Sequence, residues 1–206
     1  MKPIYIAAYH QSTFGKLFAM TVPEIIAAAV TETYGEIGAE PAMMDVGSIG
    51  SACGFTLNDQ GLLSGLMAMV PGLEGKPMES VENACASGGQ AVLSVFQKLQ
   101  LGLGDVGIAV GYEKMRNDEG KMDGKLVGKA LGLFSHPEER EGKVYVFPHL
   151  FAEVMDVYIR EQKVTEKDLA AIAVAEYANA NKNPYAQMQK VQLSSSCLYT
   201  IRSSRG

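Results

Sequence analysis

Met78-Glu79-Ser80-Val81-Glu82-Asn83-Ala84-Cys85-Ala86-Ser87-Gly88-Gly89-Gln90-Ala91-Val92-Leu93-Ser94-Val95-Phe96-Gln97-Lys98-Leu99 is the stretch whose reading decides the fold. Met78 to Glu82 reads as a short extended segment. A cluster of small residues follows, and from Gln90 to Leu99 the apolar residues recur at helical spacing. The chain thus passes from strand to helix, and Cys85 lies in the passage. A thiol at the first turn of a helix meets the positive end of the helix dipole and unpaired backbone N–H groups, both of which favour the thiolate. A thiolate is the form that attacks an acyl carbonyl. Ala86, Ser87, Gly88 and Gly89 leave space beside the sulfur, and glycine lets the backbone approach a ligand closely. The same local pattern also fits a buried cysteine used as a small hydrophobe, so the decision needs the rest of the chain.

Outward from this stretch, strands and helices alternate. Ile4 to Tyr9 reads as a first strand. Thr21-Val22-Pro23-Glu24 forms a capping box with proline in the first turn, starting a helix through Ile25, Ile26, Ala29 and Val30 that ends near Gly35 or Gly38. Val46 to Cys53 is a second strand, Gln60 to Val70 a second helix, Met78 to Glu82 a third strand and Val106 to Tyr112 the next. This alternation predicts an α/β fold with a mainly parallel sheet and helices on both faces. Ligands on such sheets gather at the carboxyl ends of the strands, which is where Cys85 falls. From Arg116 to Val144 the periodicity weakens and charge rises, with Lys121, Lys125, Lys129, Glu138, Glu139, Arg140, Glu141 and Lys143 among glycine and proline breaks. That reads as an inserted or peripheral segment. A helix follows from about Pro148 to Gln162, and Thr165-Glu166-Lys167-Asp168 caps another that runs through Ala175 toward Asn181 and ends at Asn183-Pro184. No internal repeat is visible.

Composition narrows the function class. With 206 residues, of which 47% are hydrophobic, the chain has enough apolar material for a core. The net charge of −5 and the lack of an extended basic run argue against nucleic acid as the main partner. Cys53, Cys85 and Cys197 are odd in number and widely spaced, so neither a disulfide framework nor a CxxC metal site is expected, and a reducing cytoplasm fits best. Met1-Lys2-Pro3 leads directly into Ile4-Tyr5-Ile6, wrongly flanked for a signal peptide. The Leu62 to Val70 run is broken by Ser64 and Gly65 and is far short of a bilayer span, so a soluble protein with no membrane partner is expected.

Several runs together resemble the thiolase superfamily, the acetyl-CoA C-acyltransferases. Asn83-Ala84-Cys85-Ala86-Ser87-Gly88, a helix, and then Gly107-Ile108-Ala109-Val110-Gly111-Tyr112-Glu113-Lys114-Met115 carry the resemblance. Ser12-Thr13-Phe14-Gly15 is similar to the family's segment after its first strand. Asn183-Pro184-Tyr185-Ala186-Gln187 is similar to the segment that closes its loop domain. The Glu113-Lys114-Met115 and Asn183 to Gln187 runs are most like the sterol-carrier-protein type of thiolase and its bacterial and archaeal relatives.

The resemblance implies a thiolase-like layered α/β fold with residues 1–115 as the N-terminal core, residues 116–193 as an α-rich loop domain that binds CoA, and residues 194–206 as an atypical tail. It implies that Cys85 is the acylated nucleophile and that acyl-CoA is a substrate, with no permanently bound cofactor. The reaction implied is thiolysis of a 3-oxoacyl-CoA or, in reverse, Claisen condensation of acetyl-CoA. A complete thiolase has a second core half carrying an Asn or His for an oxyanion hole, a catalytic His and a Cys-x-Gly motif, none of which is found in this sequence. Cys197, followed by Leu198 and Tyr199, does not fit that motif. The chain is therefore expected to be inactive alone, and to form a homo-oligomer or pair with a partner subunit carrying the missing half. Two rivals stand beside this reading: a condensing enzyme of the ketoacyl-synthase or HMG-CoA-synthase type, and a non-catalytic thiolase-like subunit or scaffold.

Other signals are weaker. Gly102-Leu103-Gly104-Asp105-Val106-Gly107 matches GxGxxG by spacing, but it follows a helix and precedes a strand, the reverse of a dinucleotide-binding context, and reads as a turn. His10, His136 and His149 are scattered without metal-ligand spacing, and no metal site is expected. His149 either approaches the active site or caps a surface turn. The lysines from Lys121 to Lys143 suit CoA phosphates or a solvated loop equally. Met43, Met44, Met67 and Met69 read as core filling, and Asn83 as a local turn residue.

Overall fold

The computed structural model describes residues 2–15, 17, 19–116 and 121–193. The chain divides into two units, one of residues 1–11 and 16–144 and the other of residues 12–15 and 145–206.

The first unit is built on three parallel strands, β1 (Val46–Gly50), β2 (Met78–Val81) and β3 (Gly107–Gly111), in the order β2-β1-β3. The register pairs Gly50 with Val81 on one side and with Gly111 on the other, so the three strands end level. Helix α1 (Val22–Gly35) opens with the expected capping box: the Thr21 hydroxyl accepts from the Glu24 N–H, and the Glu24 carboxylate accepts from the Thr21 N–H at 2.7 Å. Its buried stripe is Ile26, Val30 and Tyr34, a spacing of four that places all three on one face. These residues pack with Met44, Ile49, Leu63, Met67, Val70, Leu73, Ile108, Val110 and Tyr112 in the main core. Each such side chain taken out of water contributes roughly 1.5–3 kcal/mol. Met44 and Met67 fill that core as expected, whereas Met43 and Met69 are exposed.

The other face of the sheet is covered by α4 (Ser87–Gln100), which turns Ser87, Ala91, Val95 and Leu99 inward. The strand residues beneath it are small. A Cβ on Gly107 would stand 2.5 Å from Val95 Cγ1, and one on Gly50 would stand 2.0 Å from the Ser87 carbonyl oxygen. Glycine at these positions lets the helix lie directly on the strands. At the far end of α4, Asp45 accepts from the Asp105 and Val106 N–H groups at 2.8 and 3.0 Å and fixes the turn into β3. The GxGxxG spacing falls on this helix-to-strand turn, with Gly102 at φ +74°. Lys98 Nζ reaches Glu79 Oε1 at 2.9 Å, tying the helix to β2.

Between these elements the chain forms two helices shorter than a full amphipathic repeat, α2 (Gly54–Leu57) and α3 (Leu63–Met67). The predicted Gln60–Val70 helix is thus confined to α3, because Gln60 to Leu62 forms a loop with Leu62 in the left-handed region at φ +48°. The peripheral segment contains α5 (Gly124–Gly132), capped by Asp123, and the single turn α6 (Pro137–Arg140), capped by His136. The predicted first strand is corrected: Ile4 to Tyr9 forms no strand. Among the described residues its main chain finds no ladder partner, and it is held instead by the Lys2 ammonium on Asp105, by Gln100 donating to the Lys2 carbonyl, and by Ile4 against Val46, Val95 and Leu99. Tyr5 and Ile6 are left 82% and 89% exposed.

The second unit contains α7 (Val146–Gln162) and α8 (Glu166–Ala180). Thr165 and Asp168 form the reciprocal cap of α8, and Lys163, in the left-handed conformation, ends α7. The Phe14 N–H donates to the Tyr185 carbonyl at 2.8 Å. The Ser12–Gly15 and Asn183–Gln187 runs, far apart in sequence, therefore meet. The tail from Ser194 to Gly206, with Cys197, lies outside the described residues. Among the described residues, no helix is long and apolar enough to cross a membrane.

Gly50→Ala is expected to push α4 off the sheet and destabilise the chain by at least about 2 kcal/mol in urea unfolding. Gly89→Ala, whose added Cβ meets nothing within 4 Å, is expected to leave stability unchanged or raise it by up to about 1 kcal/mol.

Candidate active site

The turn from Val81 to Ser87 carries the chain from the end of β2 into α4. Ala84 sits in the left-handed region at φ +45°, a conformation that costs a residue with a Cβ about 1–2 kcal/mol. Cys85 follows directly and is exposed. The backbone is held in this shape by a small set of hydrogen bonds. The Ser87 hydroxyl accepts from the Asn83 N–H at 2.8 Å and donates to the Ala84 carbonyl at 2.7 Å. The Ala86 N–H donates to the Asn83 carbonyl at 2.9 Å, the Ser87 N–H donates to the Ala84 carbonyl at 3.1 Å, and the Ala84 N–H donates to the Glu82 carboxylate. A non-glycine residue held at positive φ beside an exposed nucleophile is the pattern by which folds aim a side chain away from the strand ends.

One detail departs from expectation. The N-cap of α4 is Ala86, so Cys85 stands one residue before the cap, outside the first turn. The physical reason is the Ser87 staple together with the left-handed Ala84, which delay the helix. The first-turn N–H groups of Gly88 and Gly89 have no main-chain acceptor among the described residues, leaving donors at the start of the helix that Cys85 precedes.

The loop leaving β1 runs beside this turn. Cys53 is buried. Its thiol is pushed up to about 11, first by burial and then by the Glu113 charge, with Cys85 and Glu82 adding to the rise. Cys53, Cys85, Glu82 and Glu113 thus share one electrostatic neighbourhood at the carboxyl ends of the strands. Glu113 accepts from the Ala52 N–H at 2.9 Å and from the Cys53 N–H at 3.1 Å. Partial loss of water raises its carboxyl pKa, while the two N–H groups and Ser51 oppose that rise. Tyr112 Oη donates to Asn58 Oδ1 at 2.9 Å, and Asn58 Nδ2 donates to the Lys114 carbonyl at 3.0 Å.

Sequence reading singled out Cys85 but gave no role to Ser87, Cys53 or Glu113 individually. The clue to Ser87 was its place among small residues at a strand-to-helix junction. Glu113 stood in the quoted motif without a physical reason attached. Of the histidines, His10 lies 3.9 Å from Glu36, His136 caps α6, and His149 lies 3.8 Å from Glu153 in the first turns of α7. Among the described residues, no group of three or more His, Cys, Asp or Glu side chains is arranged to hold a metal ion. Lys125 and Lys129, four residues apart on α5, are both exposed.

With this geometry in place, comparison with known proteins identifies the chain. A family model described as the thiolase N-terminal domain matches residues 4–193. The chain is 30% identical over 187 residues to an acetyl-CoA acetyltransferase of Methanothermobacter thermautotrophicus, covering 91% of this chain and 47% of that protein. It is 28% identical over 190 residues to an acetyl-CoA acetyltransferase of Methanocaldococcus jannaschii, covering 91% and 46%. It is also 30% identical over 124 residues to sterol carrier protein 2 of Bos taurus, covering 58% and 22%. The chain belongs to the thiolase family, and its α/β fold with a small parallel sheet is that of the thiolase N-terminal domain. It spans about half the length of the two acetyltransferases it matches.

Ala84→Gly is expected to stabilise the chain by up to about 1 kcal/mol by removing strain, and Ser87→Ala to destabilise it by about 0.5–1.5 kcal/mol by removing the hydroxyl that the Asn83 N–H donates to; urea unfolding reads both. Because the folded Cys53 thiol titrates near 11, above its ordinary value of 9.0, the unfolded chain loses this proton first as pH rises. The resulting stability is fully present below pH 9 and is lost as pH climbs toward 11. The urea midpoint should fall across that window, and by less in Cys53→Ala.

Proposed function

We propose that this chain carries the nucleophile of a thiolase-type acyltransferase, with Cys85 as the residue that takes up the acyl group. The observation that carries the reading is the exposed Cys85 on a strained, hydrogen-bonded turn at the carboxyl ends of parallel strands. In the first step the Cys85 thiol gives up its proton, and the sulfur adds to the thioester carbonyl of an acyl-CoA. The tetrahedral oxyanion collapses and expels the CoA thiolate, which is then protonated, leaving a thioester on Cys85. In the second step of condensation the acyl group passes to the carbanion of acetyl-CoA and the Cys85 thiolate leaves. In the reverse direction, thiolysis, the sulfur adds to the C3 carbonyl of a 3-oxoacyl-CoA, the C2–C3 bond breaks, the acetyl-CoA carbanion takes up a proton, and the acyl group left on Cys85 passes to the thiol of CoA, freeing the Cys85 thiolate. In this reading the first-turn N–H groups of α4 supply one donor to the oxyanion. CoA enters as a substrate, and the exposed lysines of α5 suit its phosphates.

The second step needs a base for the α-proton and a further oxyanion site. The two matched acetyltransferases are about twice as long as this chain, and we assign those groups to the length they have beyond it. Residues 1–206 alone are then expected to take up an acyl group without turning over. The domain reading follows the same lines, with residues 1–115 as the core, residues 116–193 as the CoA-binding segment and residues 194–206 as the tail.

A second reading, a non-catalytic thiolase-like subunit paired with a partner, has its own observation. The outer face of α4 carries Val92 and Phe96, 56% and 40% exposed, and among the described residues the outer edges of β2 and β3 are unpaired. Both features favour association, and we expect an oligomer or a complex in solution. Light scattering checks this, and a monodisperse monomer would contradict it.

The two readings separate on chemistry. Incubation with acetyl-CoA or acetoacetyl-CoA, followed by peptide mapping, is expected to show an acetyl-sized adduct confined to Cys85 and absent from Cys85→Ala. A folded sample that takes up no adduct would favour the non-catalytic subunit.

A further inference from the structure

Glu113 stands where the two chain segments that leave the sheet run side by side. β1 and β3 end level at Gly50 and Gly111, which are register partners, and the Tyr112 N–H extends the ladder by donating to the Gly50 carbonyl at 2.9 Å. Both glycines lie under the start of α4: a Cβ on Gly50 would meet the Ser87 carbonyl at 2.0 Å, and one on Gly111 would meet Gly88 Cα at 3.7 Å. The Cys85 turn therefore rests on the last residues of β1 and β3, and the next residues of those strands flank it. Ser51 to Cys53 leave β1, and Tyr112 to Lys114 leave β3.

The connection between these two segments is mainly Glu113. Its Oε2 accepts from the Ala52 N–H at 2.9 Å and from the Cys53 N–H at 3.3 Å, and its Oε1 accepts from the Cys53 N–H at 3.1 Å. The carboxylate thus occupies two N–H groups of the loop after β1. Farther from the turn the same segments are tied by Asn58 to Tyr112 and to the Lys114 carbonyl, and Lys114 Nζ donates to the Met20 carbonyl at 2.8 Å. Beyond the Tyr112–Gly50 main-chain bond, Glu113 supplies the side-chain link nearest the strand ends. Two oxygens on two N–H groups define both distance and direction, which a single hydrogen bond does not.

We propose that Glu113 is a positioning residue for Cys85: by clamping the Ala52 and Cys53 N–H groups it locks the loop after β1 to the segment after β3, and so fixes the chain beside the nucleophile's turn. The proposal rests on the reading of Cys85 as the acylated nucleophile. Glu113 itself takes no part in bond making. Its effect falls on the rate of acyl transfer, because small misplacements at a reacting group are costly to rate, and not on the affinity for acyl-CoA.

The test measures acetylation of Cys85 in the full chain as a function of acetyl-CoA concentration, with thermal unfolding of each variant followed in parallel. Glu113→Gln keeps the shape and one acceptor oxygen but places an NH2 group against an N–H. Glu113→Asp keeps the charge but not the reach. In both, the limiting rate is expected to fall at least about tenfold with the half-saturating concentration unchanged. Should Glu113→Gln fail to fold, Glu113→Asp carries the test. A wild-type rate in folded Glu113→Gln would overturn the positioning role and leave the nucleophile reading intact, as would a change confined to half-saturation. Loss of folding in both variants would reduce Glu113 to a structural residue and overturn the proposal. No acetylation of the wild-type chain would overturn the nucleophile reading and this proposal with it.

Discussion

The close approach of α4 to the strand ends is the contact on which the rest of the site depends. Gly50 has no Cβ, and one placed there would stand 2.0 Å from the Ser87 carbonyl oxygen. Only a glycine lets the first turn of the helix rest on the central strand at this point. That contact fixes the height of the Ser87 hydroxyl above the sheet, and the hydroxyl in turn holds Asn83 and Ala84. Cys85 is thus located by a chain of main-chain contacts that begins in the middle of the sheet and needs no long side chain.

The site has an exposed thiol and a buried one with different physical roles. Cys85 lies on a turn that carries strain at Ala84, whereas Cys53 is buried within the loop after β1 and kept protonated by burial and by Glu113. An exposed sulfur and a buried one are distinguished here by backbone placement, since the residue type is the same. Glu113 bears on the buried one: it orders the loop through two N–H groups and adds the negative charge that discourages a thiolate at Cys53.

Much of this was legible in the residues. The alternation of extended and helical runs located β1, β2, β3, α1, α4, α7 and α8, and the Thr21/Glu24 box marked the start of α1. Cys85 was legible because the small residues around it mark the junction of a strand with a helix, where a side chain stands at the carboxyl end of the sheet. What was not legible depended on pairing at a distance. Ile4 to Tyr9 has the composition of a strand, yet strand formation requires a partner edge, and local pattern does not report whether one is available. The Gln60–Val70 run has apolar residues at helical spacing, but Leu62 adopts a left-handed backbone and splits it. Ser87 and Glu113 act through main-chain groups, Ser87 at the strand-to-helix junction and Glu113 about sixty residues from the N–H groups it holds. Side-chain pattern carries no signal for such bonds.

The central claim is that the fold, rather than the thiol alone, makes Cys85 an acyl acceptor. Comparing acetyl uptake at Cys85 from acetyl-CoA in the folded chain with uptake by the same chain unfolded in urea tests this most directly. We expect uptake at Cys85 to exceed that at Cys53 in the folded chain and to drop to a common level for both when the chain is unfolded. Equal uptake at Cys85 in the two states would show that the turn confers nothing on the sulfur, and would contradict the account.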